Sequence, residues 1–490
     1  MVPLEKEFKG STFNDFMLLP QHGVLARRRD ANCSMPLAGE IDVQLPLIGA
    51  NMDTVTGPEM AKTLALEGGI GFLHRNCSID TQVQWVRYVK TRHAYVIEHP
   101  VVLPCRATLR EAKQLIDQHK ASGILVEETA GSGILAGILS HRDIPWDNPG
   151  LDLDMPVERL MTSLQHLVIA DENISIEDAE RKLFEIKKEK LPLVDKSLRI
   201  KGLITMRDLK LYRQKPYANK DRKGRLIVGG TIGATGDFLI RAEALIAADA
   251  DCILMDVAHA DAEYFGAAVR QFREKWPDVP LIGGNVATAT GAQYLVRCGV
   301  DAVKVGVGPG AGCRTRLETG YGVGQLEAIR AVYCGTNGRI PIIADGGVKD
   351  DKDIFLAIAC GATTVMLGSM LSGTDEAPGV LIEDPVTKQK AKLYRGMTSP
   401  EAVADGSTEE ARTQALQTPA EGQSVQVPYI GSVVGVLNRI RGHLQSSVSY
   451  SGSRTLQEVY AKISANPLRW MRKISLATQI ESKFITLQNK

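Results

Sequence analysis

Residues 226–256 read LIVGGTIGATGDFLIRAEALIAADADCILMD. An apolar run, LIVGG (226–230), stops at glycine, a helix-period stretch ending in ALIAADA follows, and a second run, CILMD (252–256), stops at a carboxylate. Short apolar runs closed by Gly, Asp or Asn and separated by amphipathic segments mark parallel strands joined by crossover helices. The rhythm continues on both sides. LIGAN (47–51) and IGFLH (70–74) precede this stretch, and PLIGGN (280–285), AVKVG (302–306), PIIAD (341–345) and TVMLG (364–368) follow it. EMAKTLALEG, GAAVRQFREKW, GAQYLVRCG and DIFLAIACG lie between them as helices. Eight such units fit an α/β (β/α)8 TIM barrel, with a doubly wound sheet as the alternative. In a barrel the residues that end the strands meet at one mouth, so Asn51, Asp256, Asn285 and Asp345 are expected around a single site.

The rhythm breaks between about residues 98 and 216. This divides the chain into a first barrel part (1–97), an insertion (98–216) and a second barrel part (217–490) with a C-terminal segment. Inside the insertion a smaller unit occurs twice, closed by GILAGILSHRDI and then by LRIKGLITMRDL, which sets Ser140-His-Arg-Asp143 beside Thr205-Met-Arg-Asp208. The repeat is too long for a solenoid and suits a pair of β-β-α modules. The pair resembles a tandem CBS (Bateman) domain, and that resemblance implies nucleotide contacts from Ser140, Asp143, Thr205 and Asp208. The alternative is that each aspartate caps the helix that follows, DIPWDN or DLKLYR.

Composition narrows the partners. The chain has 490 residues, enough for roughly two to three domains. Lys+Arg 58 against Asp+Glu 57 leaves a formal charge of +1, and aromatic residues are only 5%. Neither a global field for phosphate backbones or anionic lipid nor a stacking platform follows, so no nucleic-acid or membrane partner is expected. KKEKLP (187–192) reads as a solvated helix end. The eight cysteines stand singly, with no CxxC pair for zinc or redox work, which points to reduced thiols. MVPLEKEFKG carries charges where a secretory signal is apolar, and no stretch of about 20 apolar residues occurs. A cytoplasmic location is expected; the terminal QNK is not an SKL-type address, and a peroxisome-like organelle stays open.

The chemistry concentrates in Lys304-Val-Gly-Val-Gly-Pro-Gly-Ala-Gly-Cys-Arg-Thr-Arg316, a glycine-rich loop after a strand that displays Cys313. Glycines free backbone groups to bind ions or approach a ligand, and a thiol held there can act as a nucleophile. With ANMDTVTGPEMA (50–61), IADGGV (343–348), MLGSM (366–370) and YRGMTS (394–399), this loop resembles the IMP dehydrogenase/GMP reductase family, with the motifs in family order through both barrel halves.

The resemblance implies roles position by position. Cys313 matches the nucleophile that attacks purine C2, and Thr315 matches the threonine of a proton relay. Asp345 matches the ribose ligand. Gly346, Gly347, Gly368, Ser369 and Tyr394 match the phosphate cradle, and Gly396, Met397 and Thr398 match the base-binding segment. The carbonyls of Gly308, Gly310 and Cys313 match a potassium site. Three positions depart from the pattern: Ala311 replaces the usual Ser, Arg75 the usual Lys and Arg314 the usual Thr.

Two reactions share this scaffold. IMP dehydrogenases carry an Arg-Tyr pair that activates water, whereas here Arg412 is followed by Thr413 and no tyrosine lies between Tyr394 and Tyr429. Glu421, in AEGQSVQVP, resembles the reductase partner of Thr315. DVAHADAEYF (256–265) and SSVSY (446–450) resemble reductase cofactor segments, which implies NADPH at Asp256, Val257, Ala258, Asn285, Ser446 and Ser447. Against this, compact reductases lack CBS domains, and a cofactor-touching arginine is Thr418 here. The expectation is an NADPH-dependent GMP reductase converting GMP to IMP, with IMP dehydrogenase and a non-catalytic purine sensor as alternatives. Retention of Cys313, Thr315 and Glu421 argues against the sensor. Family barrels form tetramers, and the insertion suggests purine-nucleotide regulation through a homotetramer or octamer.

Overall fold

A computed structural model describes residues 4–92, 95–119, 123–145, 150–405 and 420–481. Two compact units emerge: Met1–Arg92, Tyr217–Asp221 and Leu226–Lys490 form one, and His93–Pro216 with Arg222–Arg225 the other. The larger unit is a closed barrel of eight parallel strands, β1 (Leu47–Gly49), β2 (Ile70–Leu73), β3 (Gly229–Ile232), β4 (Cys252–Asp256), β5 (Leu281–Val286), β6 (Ala302–Val305), β7 (Ile342–Asp345) and β8 (Thr364–Leu367). Each strand pairs with its sequence neighbours, and the ring closes where Val365 of β8 faces Leu47 of β1. The insertion falls between β2 and β3, which still pair through Phe72 and Gly229. All eight strands read from the sequence are present and the doubly wound alternative is excluded.

The helices follow as the periodicity requires: α1 (Pro58–Leu66), α2 (Ile79–Thr91), α3 (Phe238–Ala247), α4 (Glu263–Lys275), α5 (Ala289–Cys298), α6 (Gln325–Thr336), α7 (Asp351–Ala359) and the short α8 (Ser369–Ser372). Their ends are set locally. Thr288 caps α5 by accepting the Gly291 N–H at 3.1 Å, and Gly299 ends it in the left-handed region at φ 109°. Phe72, Phe265 and Phe272 are fully buried in the hydrophobic core of this unit, and each contributes about 1.5–3 kcal/mol relative to exposure.

One strand lies off its expected register. LIVGG was read as a strand, but β3 begins at Gly229. Ile227 donates its N–H to the Asn219 carbonyl and Val228 to the Asp251 carboxylate, so the apolar start of the run is used before the ladder begins. A Cβ at Gly229 would collide with the Phe72 ring, which explains why the strand proper opens on glycine.

The smaller unit contains two four-stranded sheets. One has the order Thr162–Ser163, Leu135–Ser140, Gly123–Glu127, Val102–Pro104, and the other Ala170–Asp171, Lys190–Val194, Ile200–Thr205, Val96–Ile97. Val96 and Ile97, assigned from sequence to the first barrel part, pair instead with Ile204 and Leu203 of this unit. That strand had too few residues to register as a period. Each copy of the repeat ends an antiparallel hairpin on its motif residue, Ser140 or Thr205. No helix among the described residues is long and apolar enough to cross a membrane.

The barrel unit has further elements beyond β8. A three-stranded ribbon, Leu381–Glu383, Lys390–Arg395 and Ser424–Pro428, follows β8, and α9 (Val433–Tyr450) packs on α7.

Candidate active site

The strand ends meet as the barrel requires. At the C-terminal mouth Lys304 of β6, fully buried, places its ammonium 2.9 Å from Asp256 at the end of β4 and 2.5 Å from Asp345 at the end of β7. Asn51, after β1, donates to Asp256 at 2.7 Å, and Asn285 donates to Asp345 at 2.9 Å and to the Gly306 carbonyl at 2.7 Å. Burial alone would lower the Lys304 pKa, but Asp256 and Asp345 outweigh it and hold the ammonium above the ordinary lysine value. Lys304 is therefore a fixed cation between two carboxylates. The sequence alone assigns this residue no role. Its only signal was a charge inside the strand AVKV, where both neighbours are apolar.

The loop after β6 brings Cys313, the expected nucleophile, out. Gly306 is at φ 152° and Gly308 at φ 84°, and a side chain on Gly306 would strike the Asp345 carbonyl. The Cys313 N–H then closes a turn onto the Gly310 carbonyl at 3.0 Å. From the other side comes the segment before the last ribbon strand: Arg314 N–H donates to the Glu421 carbonyl at 2.7 Å and Gln423 N–H to the Gly312 carbonyl at 3.0 Å. These bonds align three side chains. The Cys313 thiol donates to Thr315 Oγ1 at 3.2 Å, and that hydroxyl donates to Glu421 Oε2 at 2.8 Å. Thiol, hydroxyl and carboxylate form one hydrogen-bonded path, able to pass a proton to or from a group beside the sulfur. Thr315 and Glu421 are 106 residues apart, so the path exists only in the folded chain.

The residues expected to hold phosphate and base lie around the same loop. Gly346 and Gly347 follow β7 at φ 87° and 79°, with Gly310 against Gly346. Gly368 and Ser369 start α8, whose first N–H groups have no intrahelical acceptor. Tyr394 lies against Gly312 and Gly368 and donates its hydroxyl to Met52 Sδ at 3.7 Å. Burial first, then Asp345 and Cys313, push its pKa up to about 12, so it stays a neutral donor. Gly396 approaches the Gly312 carbonyl too closely for any side chain, and its N–H donates to the Gln423 carbonyl at 3.0 Å. Met397 and Thr398 continue this segment, with Thr398 against Gly422.

The expected cofactor residues divide. Asp256 ends β4 and Val257 and Ala258 follow it beside β5, where the Val257 N–H donates to the Gly284 carbonyl at 3.0 Å and the Val257 carbonyl accepts from the Asn285 N–H at 2.9 Å. The Asn285 Oδ1 is buried without a partner, an acceptor that fits the carboxamide or hydroxyl donors of a nicotinamide nucleoside. Ser446 and Ser447 lie on α9. Ser446 donates to the Gly442 carbonyl and accepts from Arg28, the Ser447 carbonyl accepts from Ser451, and none of these bonds reaches the Cys313 loop. For a monovalent cation, the carbonyls of Gly308 and Cys313 accept no hydrogen bond from the described residues, while that of Gly310 holds the Cys313 N–H. Neutral carbonyls on a glycine loop suit such an ion.

In the inserted unit the motif residues serve their own backbone. Asp143 accepts the Ser140 N–H at 2.7 Å, and Thr205 both donates to Asp208 at 2.5 Å and accepts its N–H at 3.2 Å, capping the helix Met206–Arg213. Asp143 ends a single 3-10 turn, His141–Asp143, rather than opening a helix. Arg412, Thr413 and Thr418 lie outside the described residues.

Comparison with known proteins bears on this arrangement. Residues 10–484 match the IMP dehydrogenase / GMP reductase domain. The inosine-5'-monophosphate dehydrogenase of Aquifex aeolicus (strain VF5) is 39% identical over 474 residues, covering 96% of this chain and 95% of the relative. That of Nitrosopumilus maritimus (strain SCM1) is 38% identical over 460 residues, covering 92% and 94%. Among solved structures, a cysteine-to-alanine variant of GMP reductase from Trypanosoma brucei in complex with guanosine 5'-monophosphate aligns with a TM-score of 0.84 at 33% identity, over 97% of this chain and 98% of that one. GMP reductase from the same organism in complex with guanosine 5'-triphosphate aligns with a TM-score of 0.74 at 31% identity, over 95% and 97%. With the barrel, its glycine loops and its cysteine in place, the chain belongs to the IMP dehydrogenase/GMP reductase family of oxidoreductases.

Proposed function

We propose that this protein is a GMP reductase that deaminates GMP reductively to IMP and ammonia. The observation that carries the reading is the path from Cys313 through Thr315 to Glu421, at 3.2 and 2.8 Å, which aims a carboxylate and a hydroxyl at the atoms beside the thiol. GMP is placed with its phosphate on the amides of Gly346, Gly347, Gly368 and Ser369 and the Tyr394 hydroxyl, its ribose on Asp345, and its base against Gly396, Met397 and Thr398. The Cys313 sulfur bonds to purine C2, and the C2–amine bond breaks. Thr315 and Glu421 deliver the proton that lets the amine leave as ammonia. The Cys313 thioimidate then takes up a hydride at C2, the C–S bond breaks, and the thiolate is restored with IMP released. Asp256, Val257, Ala258 and Asn285, with Ser446 and Ser447 as further candidates, would hold NADPH, which would supply hydride when bound. The carbonyls of Gly308, Gly310 and Cys313 would hold potassium and steady the loop.

IMP dehydrogenase is the second reading, favoured by the names of the relatives that are 38–40% identical. Absorbance of the reduced nicotinamide decides between them, comparing GMP plus NADPH with IMP plus NAD, both with potassium. A fall in the first mixture and no change in the second is expected; a rise in the second transfers the assignment to the dehydrogenase, and silence in both favours a purine sensor. Purine nucleotides are proposed to bind the inserted unit near Ser140, Asp143, Thr205 and Asp208 and to shift a homotetramer toward an octamer. Light scattering with ATP, GTP or GMP tests this, and an unchanged mass would remove it.

A further inference from the structure

The reaction above leaves one cluster at the barrel rim unused. Arg395, its side chain 13% exposed, donates from Nε and Nη2 to the two oxygens of Asp53 at 3.2 and 2.7 Å, and its Nη1 pairs with Asp405 at 2.8 Å. Asp53, in the turn after β1, also accepts from Asn76 Nδ2 at 2.8 Å, and that amide reaches the Ala402 carbonyl at 3.1 Å. The Arg395 N–H donates to Thr54 Oγ1 at 3.2 Å. The turns after β1 and β2 and the ribbon strand Lys390–Arg395 are thus joined at one guanidinium.

That strand pairs with Ser424–Pro428, and the segment leading into the latter carries the far half of the proton path. Arg395 pairs in register with Ser424, three residues beyond Glu421, and the next residue, Gly396, donates to the Gln423 carbonyl. Thr315, in contrast, rides on the barrel loop. A displacement of the ribbon at Arg395 therefore reaches the 2.8 Å separation of Thr315 and Glu421 through residues 421–424, which the Arg314–Glu421 and Gln423–Gly312 bonds also hold to the barrel loop. A two-pronged guanidinium on a carboxylate fixes rotation as well as distance, which a lysine ammonium cannot do. The same strand has a second anchor farther along, Lys392, whose ammonium donates to the carbonyls of Thr374 and Ala377 at 2.7 Å each. Lys392 faces Val427, away from Glu421.

We propose that Arg395, forked onto Asp53, is a positioning residue for Glu421, setting the geometry of proton delivery to the leaving amine. The inference rests on the reading of Thr315 and Glu421 as a relay. The test is a double-mutant cycle in the full chain with Arg395→Lys, Glu421→Gln and the double variant, with Lys392→Met as a second-anchor control. Ammonia release and GMP affinity by calorimetry are measured for each. Arg395→Lys is expected to slow ammonia release about 10- to 100-fold, the scale of a small misplacement of a reacting group, with GMP affinity little changed. The double variant is expected to be no slower than Glu421→Gln alone, because both changes remove the same function. Lys392→Met is expected to lower the melting temperature without this loss of rate. Additive losses in the double variant, or an equal loss of rate in Lys392→Met, would overturn the proposal. If Arg395→Lys does not fold, Asp53→Asn takes its place in the cycle. If the parent oxidises IMP and leaves GMP untouched, the reductase reading fails on its own and the leaving-amine step with it, while the cycle on IMP turnover still decides by the same criteria whether Arg395 positions Glu421.

Discussion

The barrel mouth and the inserted unit present similar short polar motifs and use them in opposite ways. In the insertion Ser140, Asp143, Thr205 and Asp208 bond within three residues of themselves, as caps. At the mouth the polar groups bond across elements: Thr315 to Glu421 over 106 residues, Lys304 to Asp345 over 41, Asn51 to Asp256 over 205. Capping needs only local chain. Convergence from separate strands needs the whole fold, and it is the arrangement that can hold a reacting molecule.

Four substitutions or conditions test how far this contrast reaches. The largest effect is expected at the thiol. Cys313→Ala should reduce turnover on the order of 10³-fold or more while GMP still binds, since removing a nucleophile removes the covalent route; calorimetry and single-turnover kinetics check both halves. Next is Lys304→Met, which leaves Asp256 and Asp345 facing each other without their cation. Breaking a buried ion pair from one side costs about 3–5 kcal/mol, so the urea midpoint should fall sharply, and Lys304→Arg should recover part of it.

A smaller effect concerns pH. Burial presses the His74 pKa down from 6.5 to about 4, against the pull of Asp53. The unfolded chain takes up that proton at the ordinary value. Stability from this group is thus complete above about pH 6.5 and is lost as the pH falls toward 4, by at most about 3 kcal/mol. Urea unfolding at a series of pH values should show the loss, and His74→Asn should flatten it. The smallest effect is expected in the insertion. Thr205→Ala should weaken the helix Met206–Arg213 by about 1 kcal/mol, read by amide hydrogen exchange, with exchange in the barrel strands unchanged.

The sequence made the barrel legible because each strand is a short apolar run closed by glycine or a polar residue at the mouth, as with CILMD ending on Asp256. Its limits are equally physical. LIVGG was displaced because Ile227 and Val228 bond to Asn219 and Asp251 before the ladder starts, a choice that no local pattern encodes. Cys313, Thr315 and Glu421 were legible through the family resemblance, and the structure brings them together. Lys304 and Arg395 were not, because each acquires its meaning from carboxylates on distant elements. Val96–Ile97 was missed for its brevity.

The point where the insertion leaves the barrel has a consequence of its own. Lys90, near the end of α2, lies 3.0 Å from Asp221, beyond the insertion, and 2.7 Å from Asp251. The outgoing and returning chains are thus tied at the barrel itself. Closing a loop between tied ends costs only about 0.6 kcal/mol more for each doubling of its length. The length of chain spliced between those ends therefore adds little to the cost of closing the barrel around it.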